Sequence, residues 1–241
     1  MLKILEKIRL NKYIASSGIC SRRQADKHIT DGRIKINGEV VRGLGTLVDI
    51  DNDRIEFDNK SISPVREKIY IIMNKPVGYI TTSKEQFERP YVLQLINEDI
   101  RVFSIGRLDM YSEGLILLTN DGDFANQVMH PTKHVEKEYE VILRDNISNT
   151  DILKLESGID IGGYITKKAV VKRSNNVSFN IIIREGKNRQ IRKMSEALGN
   201  SIVKLKRVRI GGIKLNDLKE GKYKYINYEQ AKRVFQNIDI G

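Results

Sequence analysis

An aspartate set between two apolar segments is the residue in this chain best suited to chemistry. Asp109 lies in FSIGRLDMYSEGLILLTN, residues 103–120. Strand-like runs on both sides should bury it in part, and a half-buried carboxylate needs a partner or a task. One carboxylate can serve as a nucleophile or as a base. Arg107 stands two residues away, and in an extended segment both side chains would point the same way. On spacing alone the two read as an ion pair at the end of a buried strand. Other chemistries find less support. Cys20 is the single cysteine, which excludes a disulfide framework and a thiolate zinc site. It reads as a small packed hydrophobe. His130 and His134 are four apart, but Pro131 between them would break a helix that aligned them, so no metal site is expected. Asn120-Asp121-Gly122-Asp123 opens like a calcium loop, yet Pro131 stands at the twelfth position in place of glutamate. It reads as a turn and helix cap, and Gly211-Gly212 reads as a bend.

The charge pattern points to a polyanion. Formal net charge is +11 and the isoelectric point is near 9.6. Much of the excess falls within residues 184–214, where Arg184, Lys187, Arg189, Arg192, Lys193, Lys204, Lys206, Arg207, Arg209 and Lys214 face only Glu185 and Glu196. So local a bias reads as a nucleic-acid footprint. Arg22, Arg23, Lys27 and Arg33 form a smaller cluster at a helix start and a strand start, a placement that suits phosphate contacts. With 40% hydrophobic residues the chain can bury a core, and no apolar run approaches the roughly 20 residues of a membrane span. The first residues carry no apolar core followed by a small-residue cleavage site, so a cytoplasmic protein is expected.

These residues need elements to hold them. Leu10, Tyr13 and Ile14 have helical spacing, with Gly18 where a C-cap belongs. Ser21 and Gln24 make a capping-box pattern for a second helix, with Ala25 and Ile29 on one face. Ile34 and Ile36 alternate as in a strand, and Asn37-Gly38 signals a hairpin. Residues 59–67, with Pro64, read as a linker. Beyond it, strands are expected over 69–73, 102–105, 115–119, 138–143, 165–172, 177–184 and 202–210. Helices are expected over 123–129 and 189–198, with a last one capped by Asn227 and running to Phe235. Arg189, Arg192 and Lys193 would share one helical face, while Ile191, Met194 and Leu198 offer a packing stripe. Helices and strands alternate without regular βαβ spacing. That predicts an α+β fold: a small N-terminal α/β module over 1–60, a linker over 61–67, and a domain over 68–241 on a mixed, largely antiparallel β-sheet with flanking helices.

Read together, the motifs resemble the RNA pseudouridine synthases. Gly106–Asp109, then Gly114, then residues 115–122 follow the family's GRLD signature and the LLLTNDG-like run after it. Asn74-Lys75-Pro76-Val77-Gly78 resembles its N-K-P-x-G motif, Lys137-Glu138-Tyr139 its K-x-Y motif, and residues 185–194 its EGxNRQIRRM motif. Residues 205–211 match the last one. Lys193 stands where arginine is usual and keeps the charge. Arg9, Leu10, Lys12, Ala15, Gly18, residues 20–23, Gly32-Arg33 and Asn37-Gly38 resemble the small S4-like RNA-binding domain. The likeness covers nearly the whole chain and is to the RsuA/RluB/RluF branch. Residues 103–116, 165–169 and 188–194 are more similar to its large-subunit, RluF-like members.

The resemblance implies isomerisation of uridine to pseudouridine in ribosomal RNA, 23S rRNA by the closer likeness, at a stem-loop. Uracil is detached from its ribose, turned and rejoined through carbon 5. No redox or group transfer occurs, so neither cofactor nor metal is required. By resemblance Asp109 is the catalytic carboxylate, as nucleophile or as base. Arg192 is the cation that keeps it ionised, with Arg189 in reserve. Tyr139 stacks on the target uracil, and Arg107 fills the gap left by the extruded base. Arg189 and Lys193, with Arg9, Lys12, Arg22, Arg23, Lys27 and Arg33 of the module, are the expected RNA contacts, and the enzyme is expected to be a monomer. The main rival is a non-catalytic RNA-binding or ribosome-assembly protein on the same fold; a hydrolase pairing Asp109 with a second acid lacks an obvious partner carboxylate.

Overall fold

A computed structural model describes residues 7–82 and 88–237. The chain forms two compact units. Among the described residues the first comprises 7–68 with Glu98–Val102 and Asn120–Gly122; the second comprises 69–82, 88–97, Phe103–Thr119 and 123–237.

In the first unit β1 (Lys7–Arg9) leads into α1 (Leu10–Ser16) and α2 (Arg22–Thr30). The strands β2 (Ile34–Ile36), β3 (Glu39–Val41), β4 (Leu47–Asp49), β5 (Ile55–Phe57) and β6 (Lys60–Ile62) follow. The helical spacing read for Leu10, Tyr13 and Ile14 has a packing cause: all three are buried, with Cys20, Ala25, Ile29, Ile34, Val48 and Ile55, in one apolar cluster. Ser21 caps α2 through a complete capping box with Gln24. Asn37 and Gly38 both have positive φ, as a tight hairpin between β2 and β3 requires. One expectation is corrected. Lys60–Ile62, read as the start of a linker, pair antiparallel with Ile55–Phe57 as β6. The polar residues Lys60 and Ser61 concealed an edge strand.

The second unit is built on β7 (Tyr70–Lys75), β8 (Phe103–Ile105), β9 (Glu113–Thr119), β10 (Lys137–Leu143), β11 (Val170–Arg173), β12 (Ser178–Ile183), β13 (Ile202–Ile210), β14 (Ile213–Lys214) and β15 (Tyr223–Ile226). Its helices are α3 (Gly122–Met129), α4 (Asn149–Ser157), α5 (Gln190–Ala197) and α6 (Tyr228–Lys232). The sheet runs β11-β12-β10-β13-β9-β7-β15, with β8 on β9 and β14 on β13. Its pairings are antiparallel except β13 with β9. β7 and most of β9 are buried along their lengths, as continuous apolar runs covered on both faces should be. In β10, Tyr139, Val141 and Leu143 are buried while Glu140 and Ile142 are exposed, a clean alternation.

Three differences from the sequence reading have local causes. The strand expected over 165–172 begins only at Val170; earlier residues make an isolated bridge between Asp160 and Ile165, and Thr166 turns its hydroxyl to accept from the Ile159 amide. Helix α4 was not anticipated, although Ser148 accepts from the Asp151 amide in a capping box. Arg189 lies outside α5, with a left-handed backbone (φ 51°).

The parallel crossing of β13 and β9 requires a glycine. Gly114 has φ 104°, and a Cβ there would come within 2.2 Å of the Arg207 carbonyl oxygen. Gly114→Ala should therefore destabilise the second unit by about 3 kcal/mol, strain and overpacking combined. Urea titration checks this; a loss under about 1 kcal/mol would show that the strands separate at little cost.

Candidate active site

Asp109 does not lie in a strand. β8 ends at Ile105, Gly106 turns the chain with positive φ, and residues 106–112 form a loop before β9. The loop is tied down on both sides of Asp109. Thr81 Oγ1 donates to the Leu108 carbonyl at 2.9 Å and accepts from the Leu108 amide at 3.2 Å. The Gly78 amide donates to the Met110 carbonyl at 2.8 Å. Lys75, wholly buried, donates through Nζ to the Ser112 carbonyl at 2.7 Å and the Pro76 carbonyl at 2.9 Å. Burial drives Lys75 down to about 8, with Asp109 and Glu113 acting in the opposite sense. Thus the Asn74–Gly78 motif holds the aspartate loop.

Three donors hold the carboxylate of Asp109. Oδ1 accepts from the Tyr111 amide at 2.9 Å. Oδ2 accepts from Ser112 Oγ at 2.8 Å and from Arg192 Nε at 3.2 Å. Arg192 Nη2 also donates to Ser112 Oγ at 3.1 Å. Burial of Asp109 favours protonation, but the bonds from Ser112 and Arg192 and the Arg192 charge outweigh it and hold the carboxyl below its ordinary range. Asp109 is therefore anionic at neutral pH, and the loop fixes its direction.

It lines a cleft of about 840 Å³ within the second unit. Tyr139 is on the same cleft, buried, near the start of β10. Arg207 stands opposite it on β13: its Nη1 is 3.5 Å from the Tyr139 hydroxyl and its guanidinium carbon 5.9 Å from the ring centre. The rim is cationic, with Arg89, Arg107, Lys167, Arg184, Lys187 and Arg189 among its lining. Glu185 braces one side. Its carboxylate accepts from Tyr164 Oη at 2.6 Å, the Lys167 amide at 3.0 Å and Gln190 Nε2 at 2.6 Å, joining the 160–167 loop to the start of α5. Such an arrangement admits a flat, polar ring beside a fixed carboxylate, with phosphates outside on the rim.

The fold thus brings Asp109, Tyr139, Arg192 and Arg107 to one site and divides the other cations. The expected Arg107–Asp109 strand pair is replaced: Asp109 bonds Arg192, and Arg107 is exposed on the cleft. The common helical face of Arg189, Arg192 and Lys193 is also corrected. Arg192 is buried behind Asp109 while Lys193 is half-buried, and Arg189, left of the helix start, reaches Glu196 at 3.8 Å and lines the cleft. The basic stretch 184–214 is only partly a surface footprint. Arg209 is buried, donating to Glu138 at 2.7 Å and Glu136 at 3.1 Å, and Arg184 also reaches Glu136 at 2.8 Å. In the first unit Arg9, Arg22, Arg23 and Lys27 are exposed and Lys12 is half-buried. Arg33 is exposed but already engaged, through Nε with Asp58 at 2.9 Å and over the Phe57 ring at 4.6 Å. Ser112, Lys75, Lys137 and Arg207 were given no role in the site from sequence, although Lys75 and Lys137 stand in quoted motifs and Arg207 in the basic stretch. Ser112 could have been given one, since it follows Asp109 by three residues in a loop.

Comparison with known proteins identifies the family. The family model for RNA pseudouridylate synthase matches residues 69–197, and that for the S4 domain matches residues 8–55. An uncharacterized RNA pseudouridine synthase of Aquifex aeolicus is 34% identical over 239 residues, spanning 97% of this chain and 96% of its own. The dual-specificity RNA pseudouridine synthase RluF of Escherichia coli is 38% identical over 234 residues, spanning 96% of this chain and 80% of its own. A crystal structure of a pseudouridylate synthase superposes with a TM-score of 0.70 at 31% identity, covering 94% of this chain and 99% of that one. An α+β chain with an S4 module and a cleft around an ionised aspartate, matched along nearly its whole length, belongs to the RNA pseudouridine synthase family.

Proposed function

We propose that this enzyme isomerises a uridine of ribosomal RNA, in a stem-loop of 23S rRNA, with Asp109 as the catalytic carboxylate. The observation that carries the reading is an aspartate kept anionic by Arg192 and Ser112 on the cleft that also holds Tyr139. Asp109 acts at the sugar, as nucleophile or as base. Tyr139 stacks on the extruded uracil. Arg107, exposed at the rim, enters the helix space the base has left. Arg189 and Lys193 hold flanking phosphates, and so do Arg9, Lys12, Arg22, Arg23, Lys27 and Arg33 of the module over residues 1–60. With β6 extending the module to Ile62, residues 63–67 join it to a catalytic domain over 68–241. Extruding a base is easier from loops and bulges, where stacking is weaker, which favours a stem-loop target. The enzyme acts as a monomer in the cytoplasm. Among the described residues no helix is long and apolar enough to cross a membrane. The RluF relatives are described as dual-specific, so a second RNA target belongs in the same survey.

Asp109→Asn is nearly isosteric but removes the charge. It should abolish tritium release from 5-tritiated uridine RNA while leaving RNA affinity nearly unchanged; the melting temperature should fall, because buried Arg192 loses its counter-ion, but the protein should still fold. Turnover close to wild type would remove Asp109 from the chemistry.

Acid should inactivate the enzyme through the same carboxylate. Asp109 is held below its ordinary range, so activity persists down to pH below that range and is lost as pH falls through the folded-state value. Arg192→Gln takes away a charge that favours the anion, and the acid limb of kcat/KM should move to higher pH, whereas Arg192→Lys should move it less. An unmoved limb in Arg192→Gln would separate the two groups.

The substrate is tested by incubating purified enzyme with unmodified 16S and 23S transcripts and total small RNA, then mapping carbodiimide-dependent reverse-transcription stops. A new stop in 23S RNA is expected; stops confined to 16S or to small RNA would overturn the substrate assignment and leave the reaction class intact.

A further inference from the structure

Arg207 differs from the other buried arginines of the second unit, Arg192 and Arg209. Its side chain is 4% exposed, yet no carboxylate pairs with it among the described residues. Nε donates to the Leu115 carbonyl at 2.7 Å, Nη1 lies at 3.5 Å from the Tyr139 hydroxyl, and Nη2 is buried with no hydrogen-bond partner. Arg209 also has a buried Nη2 without a hydrogen-bond partner, but its charge is met by Glu136 and Glu138; the missing carboxylate is what sets Arg207 apart. Burying a charge without a counter-ion is costly, and sites that do so are arranged for a charge that appears later. Lys137 lines the same cleft wall, on the strand face that carries Tyr139. Burial first, and then the Arg207 charge, drive Lys137 down to about 8. The wall around Tyr139 therefore holds concentrated positive potential. It is also rigid, because the Arg207 backbone packs directly on Gly114 and its Nε is pinned to β9.

We infer that Arg207 is a further catalytic residue, whose guanidinium binds a carbonyl oxygen of the target uracil and stabilises the negative charge on the base once it is detached. The inference rests on the cleft being the uridine site. It holds for either role of Asp109. The C1′–N1 bond breaks with its electron pair left on the uracil, spread over N1, O2 and O4. As nucleophile, Asp109 bonds to C1′ in that step, and the bond returns its pair to the carboxylate when C5 attacks. As base, Asp109 takes the C2′ proton and gives it back. In both cases C5 bonds to C1′, C5 loses its proton, and N1 gains one, so no oxidant or co-reactant is needed. A fixed cation at O2 or O4 makes uracil a better leaving group and holds it while it turns.

Arg207→Met in the full-length chain should lower the single-turnover rate by about 10²-fold or more, with RNA affinity within about threefold of wild type. Substrates carrying 2-thiouridine or 4-thiouridine at the target identify the oxygen. With wild type, one of the two should slow the chemical step by about tenfold, because sulfur accepts hydrogen bonds weakly. With Arg207→Met that same substitution should cost nothing further. A rate for Arg207→Met within a few-fold of wild type overturns the inference, as does a loss confined to RNA affinity. If the variant fails to fold, the wild-type protein decides: neither thio substrate being slowed overturns it. Inert Asp109→Asn beside an active, thio-insensitive wild type would leave the proposed function standing and remove only Arg207.

Discussion

The Asp109–Arg192 pair is the constraint on which the rest of the site depends. A carboxylate half out of water tends to take up a proton, and a protonated aspartate can serve neither as nucleophile nor as base. The chain counters this with a guanidinium contributed from 83 residues away, and with Ser112 bonded to both partners. Holding the pair in register requires β9, β13 and α5 to keep their places. That requirement accounts for a buried lysine under the loop, for a glycine at the strand crossing, and for the Glu185 brace at the start of α5.

A second constraint is a one-residue shift in β13. Glu138 faces Arg209 in the register, but Tyr139 faces Arg207, so Val208 is bulged out. Without the bulge, two arginines at alternate positions would share one face. With it, Arg209 turns to Glu136 and Glu138 and becomes part of a neutralised internal network, while Arg207 turns to Tyr139 and the cleft. Two similar residues thereby acquire different electrostatic surroundings, one paired and one awaiting negative charge. The same partition runs through the whole basic stretch: Arg192 and Arg209 serve the interior, whereas Lys187 and Arg189 remain on the rim where a polyanion can reach them.

The first unit follows simpler rules. Short strands and two helices enclose one apolar cluster, with a capping box and a hairpin turn that are both explicit in the residues. Its cations are mostly exposed, as contacts to phosphate need. Arg33 is exposed too but is held by Asp58 on the surface, where such a pair contributes little and yields readily to a stronger anion.

The sequence by itself determined what depends on local periodicity and turn chemistry. The apolar runs of β7 and β9, the alternation in β10, the cap at Ser21, the turn at Asn37-Gly38 and the motif around Asp109 were all legible, because each is decided by neighbours within a few residues. The family likeness was legible for the same reason, since it rests on contiguous strings. Elements held by distant partners were not. β6 is polar and exists because β5 lies beside it; the 165–169 segment has a strand's alternation but lacks a ladder to join. Above all, only the tertiary structure decided which cation meets which anion. Arg107 is the sequence neighbour of Asp109, yet Arg192 is its partner, and Arg207 and Arg209 part company at a bulge that no residue pattern announces. Charge pairing acts through space over a few ångströms, and chain proximity carries little information about it once a sheet brings strands from separate stretches side by side.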